Sequence, residues 1–299
     1  KSQPDNLDFL RRFRALLDEY PGSTAVGEVG ESQRGMEVPA AYTAGDDLLH
    51  MCYDFAFLAN AYPTGQHVGD ILERFNRIVT KGWACWAYSN HDVVRHATRW
   101  NMDEAHLRLY AGLLMSLKGS VCLYQGEELG LTEAYVAYED LQDPYGKRFW
   151  PKFKGRDGAR TPFPWTRDNR NGGFSDEKPW LPVAMEHVQR AAQEQATDER
   201  SMLQFYKDML AFRKAHPAIL KGDIELIEAD GNRLSFLRTH EGARIFCCFN
   251  LSDGEQPVTL PVGNWSVDRG APFSITETAD GITLPPHQAL FAIASDAQA

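Results

Sequence analysis

The chain has 299 residues, 43% of them hydrophobic and 24% charged, and a formal net charge of −10. These values are ordinary for a globular protein. An acidic balance without a run of lysines or arginines argues against binding to a nucleic-acid backbone. No apolar run approaches the ~18 residues that a membrane-spanning helix needs, so we expect neither a nucleic-acid nor a membrane partner.

The first two-fifths of the chain alternate between strand-like and helix-like segments. A helix is predicted for the opening segment, where apolar residues recur at steps of three and four until Pro21 and Gly22 end it. Strands are then predicted at 24–29, 49–58, 83–88 and 121–124, and amphipathic helices at 67–79 and 103–117. Buried strands that alternate with helices predict a parallel sheet with helical crossovers, either an open doubly wound sheet or part of a (β/α)8 barrel.

The pattern changes twice in the second half of the chain. Residues 130–199 are rich in Pro, Gly, Asp, Arg and Trp and are too long for an ordinary connection, so this loop is expected to be functional or to carry short elements of its own. A helix at 199–216 follows. Beyond it, short alternating strands at 224–227, 234–238, 244–250, 256–260, 281–284 and 289–294, separated by turns, predict an antiparallel β-sandwich. We therefore expect two domains, at residues 1–216 and 217–299.

The five cysteines and nine histidines show no metal-ligand spacing. We expect buried free thiols rather than disulfides, and neither a metal site nor another cofactor. Free thiols favour a reducing compartment, so a cytoplasmic location is expected.

Ionisable side chains follow two of the predicted strands. Glu28 ends the first strand, and His91 and Asp92 follow the third. In a barrel, this end of the strands faces the active-site mouth. A strand-end acid can also cap the next helix, and a His–Asp pair can be structural, so position alone leaves both interpretations open.

Five segments, in the same order along the chain, resemble segments of the α-amylase family. GEVGE at 27–31 resembles its acid/base segment, YSNHD at 88–92 its Asn-His-Asp segment, and LYQGEELG at 123–130 its eighth-strand segment. GRDGARTPFPW at 155–165 and PWLPV at 179–183 resemble segments of the bacterial α-glucosidase and oligo-1,6-glucosidase branch. The resemblance implies the second half of a (β/α)8 barrel, strands five to eight, followed by a C-terminal antiparallel β-sandwich.

The resemblance also implies roles for four residues. Retaining glycoside hydrolysis needs a carboxylate nucleophile and a second carboxylic acid that protonates the departing oxygen. By resemblance, Glu28 is that acid/base, and Asp92 is the carboxylate that holds the 2- and 3-hydroxyls of the glucose being cleaved. His91 matches a hydrogen-bonding partner of the same hydroxyls. Arg156 matches an arginine that closes the non-reducing end in exo-acting members, although it could instead form a salt bridge that stiffens the long loop.

The family's nucleophile has no counterpart in this chain. It is an aspartate two residues after an arginine on the fourth barrel strand, and no acid before Glu28 follows an apolar strand. We therefore expect the first half of the barrel to be a separate segment or chain, and this chain to be inactive alone.

The implied function is a retaining, exo-acting α-glucosidase that takes a small α-glucoside as substrate. An α-glucosyl-transferring or sucrose-isomerising member is the first alternative. The Arg-Leu-Asp-Arg-Asp loop associated with the isomerases is absent from this stretch, which favours hydrolysis or transfer. A non-catalytic scaffold is the second alternative, but it would have little reason to keep Glu28, His91, Asp92 and Arg156 together.

Two other sets of residues have weaker functional signals. Glu127 and Glu128 follow a predicted strand and are expected to bind nearby loop backbone rather than to form a catalytic pair. The aromatic residues that could stack on sugar rings, or belong to the core, are Phe55, Phe57, Trp150, Phe163 and Trp165.

Overall fold

A computed structural model of the chain describes residues 3, 5–29, 35–279 and 281–295. Gly30 and Glu31, at the end of the first motif, lie outside the described residues. The chain divides into two compact units. Unit 1 comprises Lys1–Ala87, Leu113–Cys122 and Arg213–Ala299, and unit 2 comprises Tyr88–Gly112 and Leu123–Phe212. The predicted domain boundary between residues 216 and 217 falls inside unit 1 and stays a prediction.

A parallel sheet forms the first part of unit 1. Its strands are β1 (Val26–Gly27), β2 (Met51–Asp54), β3 (Ala84–Trp86) and β4 (Ser120–Val121), in the order β1-β2-β3-β4. All neighbouring pairs are parallel. The predicted parallel sheet is therefore confirmed, although the strands are shorter than expected. The predicted strand at 49–58 ends early, because Ala56–Leu58 form a short 3-10 helix.

Three helices of unit 1 precede or follow these strands: α1 (Asn6–Asp18), α2 (Glu37–Tyr42) and α3 (Gly65–Ile78). The Thr64 hydroxyl caps α3 by accepting from the His67 backbone N–H at 3.2 Å. The apolar stripe of α3 is buried, and its Phe75 ring lies 5.2 Å from the fully buried Trp86 of β3. This contact packs α3 on the sheet.

Unit 2 consists mainly of short helices: α4 (His96–Arg99), the start of α5 (Glu104–Ser116), α6 (Pro144–Phe149), α7 (Met185–Val188), α8 (Ala192–Ala196) and most of α9 (Met202–Ala215). Short 3-10 helices lie at Glu127–Leu129, Tyr138–Asp140, Asp157–Ala159 and Arg170–Gly173. The segment at 130–199 therefore carries short elements of its own, as expected. The predicted helices at 103–117 and 199–216 correspond to α5 and α9.

The C-terminal part of unit 1 is a β-sandwich. After α10 (Pro217–Lys221) come β5 (Asp223–Ala229), β6 (Arg233–His240), β7 (Ala243–Asn250), β8 (Gln256–Val258), β9 (Trp265–Val267), β10 (Thr276–Thr278), β11 (Gly281–Leu284) and β12 (Ala289–Ala294). They form antiparallel sheets in the orders β5-β6-β7-β12-β9 and β10-β11-β8. Phe246, Leu290 and Leu284 belong to one core cluster that draws on both sheets, which confirms the predicted sandwich.

A buried arginine satisfies backbone carbonyls in the last turn of α5 and just beyond it. Arg213 is 5% exposed and donates to the carbonyls of Met115, Leu117 and Gly119. The last carbonyls of a helix have no partner within the helix, so such a donor stabilises the helix end.

The five cysteines are free thiols, and four of them are buried, which agrees with the sequence-based expectation. Among the described helices, none has the length and apolar character needed to cross a membrane.

Candidate active site

Glu28 directly follows β1, at the carboxyl end of the parallel sheet. Its side chain is exposed and lines a pocket of about 290 Å³, whose other walls include Phe9 and Phe13 of α1 and Leu49. The next described helix, α2, has Met36 at its N-cap and no side-chain cap. Glu28 therefore opens onto a pocket and does not cap this helix.

The His91–Asp92 pair lies on a loop whose own side chains fix its shape. The Asn90 side-chain oxygen accepts from the Asp92 backbone N–H at 2.8 Å, and the Ser89 hydroxyl accepts from the His96 backbone N–H at 2.9 Å. These bonds leave the side chains of His91 and Asp92 59% and 41% exposed, with His91 Nε2 lying 3.6 Å from Asp92 Oδ1. Both predicted site residues are thus presented to solvent, next to each other.

Two arginines hold Asp92 through the same oxygen. Arg156 Nη1 and Arg160 Nη2 lie 3.0 Å and 2.8 Å from Asp92 Oδ1. Arg160 Nε also donates to the His91 carbonyl at 2.7 Å. Among the described residues no donor reaches Asp92 Oδ2, so this oxygen can accept a hydrogen bond from a ligand hydroxyl. We call Arg156, Arg160 and Asp92 the Asp92 clamp.

Arg156 is itself anchored by a second carboxylate. Its Nε and Nη2 donate to the two oxygens of Asp143 at 2.8 Å and 3.0 Å, the bidentate geometry that suits a guanidinium. The Asp143 side chain is fully buried, and its bonds to Arg156 lower its pKa to about 2. Arg156 therefore forms a salt bridge within the long loop and also contacts Asp92, and its role at the non-reducing end stays a prediction.

The two arginines flank the 3-10 turn Asp157–Ala159. The Asp157 carboxylate fixes the turn by accepting from the backbone N–H groups of Gln142 and Asp143 at 2.6 Å and 2.8 Å. Four residues apart, with one tight turn between them, Arg156 and Arg160 reach the same carboxylate.

Glu127 and Glu128 do not form a paired-carboxylate site. Glu128 accepts from the Gly126 backbone N–H at 2.8 Å, as expected of a loop acid. Glu127 is 3% exposed and lies 3.6 Å from His96 Nδ1. Burial, with Arg99 and Arg95 nearby, lowers the pKa of His96 to about 3.

The candidate stacking aromatics divide between core and surface. Phe57 is 1% exposed, and Trp150 packs against a small apolar cluster. Trp165 is 53% exposed and contacts Phe163, with their ring centroids 4.5 Å apart. Within either unit, no three described His, Cys, Asp or Glu side chains come together as metal ligands do.

Glu28 belongs to unit 1, and the Asp92 clamp belongs to unit 2. The prediction that Glu28 and Asp92 face one cleft therefore stays a prediction. Sequence reasoning missed Arg160 and Asp143. Arg160 lies inside the GRDGARTPFPW motif already singled out, and Asp143 precedes Pro144, a typical sign of a helix start.

Comparison with known proteins identifies the fold family. Residues 1–222 match the catalytic domain of the α-amylase family. A probable alpha-glucosidase of Rhizobium meliloti (strain 1021) is 52% identical over 98% of this chain and 54% of its own length. The probable oligo-1,6-glucosidase 2 of Bacillus subtilis (strain 168) is 28% identical over 82% of this chain and 50% of its own length.

Comparison with solved structures gives the same fold. An alpha-glucosyl transfer enzyme, XgtA, superposes with a TM-score of 0.90 at 43% identity, over 98% of this chain and 55% of that one. A trehalose-6-phosphate hydrolase of Bacillus licheniformis, 24% identical with a TM-score of 0.80, shares the fold. The chain spans about half the length of the relatives it matches. The chain belongs to the α-amylase family.

Proposed function

We propose that this chain is the acid/base-bearing part of a retaining, exo-acting α-glucosidase. The observation that carries the proposal is the Asp92 clamp, in which two arginines fix one carboxylate oxygen and no donor of the described residues reaches the other. The 52% identity to a probable alpha-glucosidase supports the same activity.

In this proposal the chemistry has two steps. A nucleophilic carboxylate attacks the anomeric carbon while the glycosidic C–O bond breaks, and Glu28 gives its proton to the leaving oxygen. Water then attacks the anomeric carbon, the bond from this carbon to the nucleophile carboxylate breaks, and Glu28 takes a proton from the water and is protonated again. Asp92 and His91 bind the glucose hydroxyls, and these hydrogen bonds strengthen as the sugar ring becomes cationic.

The nucleophile is proposed to come from a segment outside this chain. No described acid in unit 1 other than Glu28 and Asp54 lies on a parallel strand or directly after one, and Asp54 is 5% exposed. The sheet has four strands, and the chain covers about half of each relative. Both facts support an N-terminal half that completes the barrel.

Glucosyl transfer is the second candidate, favoured by the 43% identity to an alpha-glucosyl transfer enzyme. In transfer, an acceptor hydroxyl replaces water in the second step, and Glu28 deprotonates that hydroxyl instead. The ratio of new oligosaccharide to free glucose formed from maltose distinguishes the two reactions.

The test of the proposal is Glu28→Gln in the complete protein, assayed on two substrates. Glucosylation of the enzyme by maltose should slow by several orders of magnitude. A nitrophenyl glucoside should lose much less in the same step, because its leaving group departs without protonation.

The burst-phase rate measures this step for both substrates. Glu225→Gln, at an exposed position of β5, is the matched control and should leave both rates unchanged. Equal losses on the two substrates would remove Glu28 from the acid/base role.

A further inference from the structure

The carbonyl oxygen of Ala159 is held by two side chains outside its own turn. Tyr124 Oη donates to it at 2.9 Å, and Arg95 Nη2 donates to it at 3.1 Å. Ala159 is fully buried and precedes Arg160, which donates to both Asp92 and the His91 carbonyl. The Ala159 carbonyl belongs to the peptide group that joins Ala159 to Arg160. Fixing this carbonyl therefore fixes the backbone from which the Arg160 side chain extends.

Arg95 joins three segments of unit 2. Besides Ala159, its Nη1 donates to the Gln125 carbonyl at 2.8 Å, and its backbone N–H donates to Glu133 Oε2 at 2.9 Å. The guanidinium carbon lies 4.9 Å from the centre of the Tyr124 ring, a cation–π contact. Arg95 also follows Asp92 by three residues, so it links both sides of the Asp92 clamp.

The surroundings leave the Arg95 guanidinium little freedom. Arg95 is 2% exposed, and its Nη1 and Nη2 both donate to backbone carbonyls. A Cβ at Gly126 would lie 3.0 Å from Arg95 Nη1, and a Cβ at Gly158 would lie 2.5 Å from the Ala134 carbonyl. Two glycines thus allow the close approach of the backbone segments that Arg95 connects.

We infer that Arg95 and Tyr124 are positioning residues of the active site, which act by fixing the Ala159 carbonyl and, through Arg160, the orientation of Asp92. The inference rests on the proposed function and names residues that it does not include. The hydrogen bonds of both side chains go to backbone carbonyls and not to Asp92. Because transition-state contacts lose much of their effect when displaced by a fraction of an ångström, loosening Ala159 should slow the chemical step.

The cleanest test is Tyr124→Phe in the complete protein, because it removes the hydroxyl and keeps the ring beneath Arg95. We expect kcat/KM for maltose to fall about five- to tenfold, the rate equivalent of one hydrogen bond, with most of the loss in kcat. In an Arg160→Ala background, Tyr124→Phe should lower kcat/KM by less than about twofold, because the Arg160 side chain that connects Ala159 to Asp92 is already absent. Equal losses in the two backgrounds would overturn the inference.

Arg95→Lys keeps the charge, but the lysine cannot reach both carbonyls. Like Tyr124→Phe, it should lower kcat/KM in the wild-type background and have little effect in the Arg160→Ala background. Arg213→Lys is the matched control, because Arg213 is a comparably buried arginine that donates to backbone carbonyls in unit 1. The control should lower the melting temperature and leave kcat within about twofold. A similar fall in kcat for Arg95→Lys and Arg213→Lys would mean that Arg95 only stabilises the fold, and would overturn the inference.

Hydrogen exchange separates this inference from the proposed function. The amide N–H groups of Ala159 and Arg160 bond to the carbonyls of Arg156 and Asp157. Tyr124→Phe should speed their exchange, and Arg213→Lys should not. If the complete protein cleaves no α-glucoside, the proposed function fails, and faster exchange still supports the positioning role. Unchanged exchange in Tyr124→Phe would overturn that role whether or not the protein is active.

Discussion

Two arginines orient Asp92 through one of its oxygens, and within the described part of the chain no donor reaches the other. Arg156 and Arg160 both donate to Asp92 Oδ1, and Arg156 also donates to the Asp143 carboxylate. A carboxylate fixed in this way can accept a hydrogen bond from a sugar hydroxyl without first ordering its own side chain, which is how preorganised groups favour a transition state.

The Arg156–Asp143 pair gives a prediction about acid stability. The folded pKa of Asp143 is lowered to about 2, while an unfolded aspartate titrates near ~3.9. A lowered carboxyl pKa stabilises the fold above the unfolded value, and this stabilisation is lost as the pH falls towards about 2. Asp143→Asn should therefore flatten the fall in unfolding free energy between pH ~4 and ~2.

Urea unfolding at a series of pH values measures this effect. Asp46→Asn, at an exposed turn, is the control and should keep the wild-type slope. An unchanged slope in Asp143→Asn would mean that the ion pair contributes nothing to stability.

At the residue level, hydrophobic patterning accounts for where the candidate acids lie, and their catalytic roles stay predictions. Glu28, His91 and Asp92 lie in motifs next to strand ends, where hydrophobic patterning places them. Arg160 was missed because Arg156 and Arg160 occur in one motif, and only the 3-10 turn between them brings both to Asp92. Arg95 and Tyr124 act through the Ala159 backbone carbonyl. The pattern of side chains in a sequence does not predict which backbone carbonyl a side chain binds.

Among the elements, the turn at Asp157–Ala159 depends on a residue without a side chain. A Cβ at Gly158 would lie 2.5 Å from both the Ala134 carbonyl and a Glu133 carboxylate oxygen. Gly158→Ala should destabilise the fold by about 1–3 kcal/mol, the usual cost of overpacking, because backbone must move to relieve the contact.

Thermal unfolding of the complete protein tests this prediction. Gly231→Ala is the matched control, since a Cβ there would meet nothing within 4 Å. It should change stability by less than about 0.5 kcal/mol. Equal stability of the two alanine variants would show that the segments at 134 and 158 do not need this close approach.

Elements with strong periodicity were predicted, and short polar ones were not. α3, α5 and β5 to β7 agree with the sequence-based segments to within a few residues. β9 and β10 were missed because each has three residues, and those of β10 are all exposed. Their pairing with β12 and β11 comes from tertiary contacts rather than from local preference.

For the whole molecule, the helix that bears on the proposed N-terminal half is α1. It has no buried residue, and its Phe9 and Leu16 are 62% and 50% exposed. Exposed apolar surface of this kind favours association. In the proposed complete barrel, the N-terminal half covers this face and supplies the nucleophile.

Glucose release from maltose, assayed for this chain alone and for the complete protein, tests the central claim most directly. We predict no release by the chain alone, because a retaining glycosidase needs its nucleophile, and release of single glucose units by the complete protein. Hydrolysis by the chain alone would mean that one of its own acids is the nucleophile. A folded complete protein that leaves maltose and other short α-glucosides intact would contradict the catalytic roles of Glu28 and Asp92.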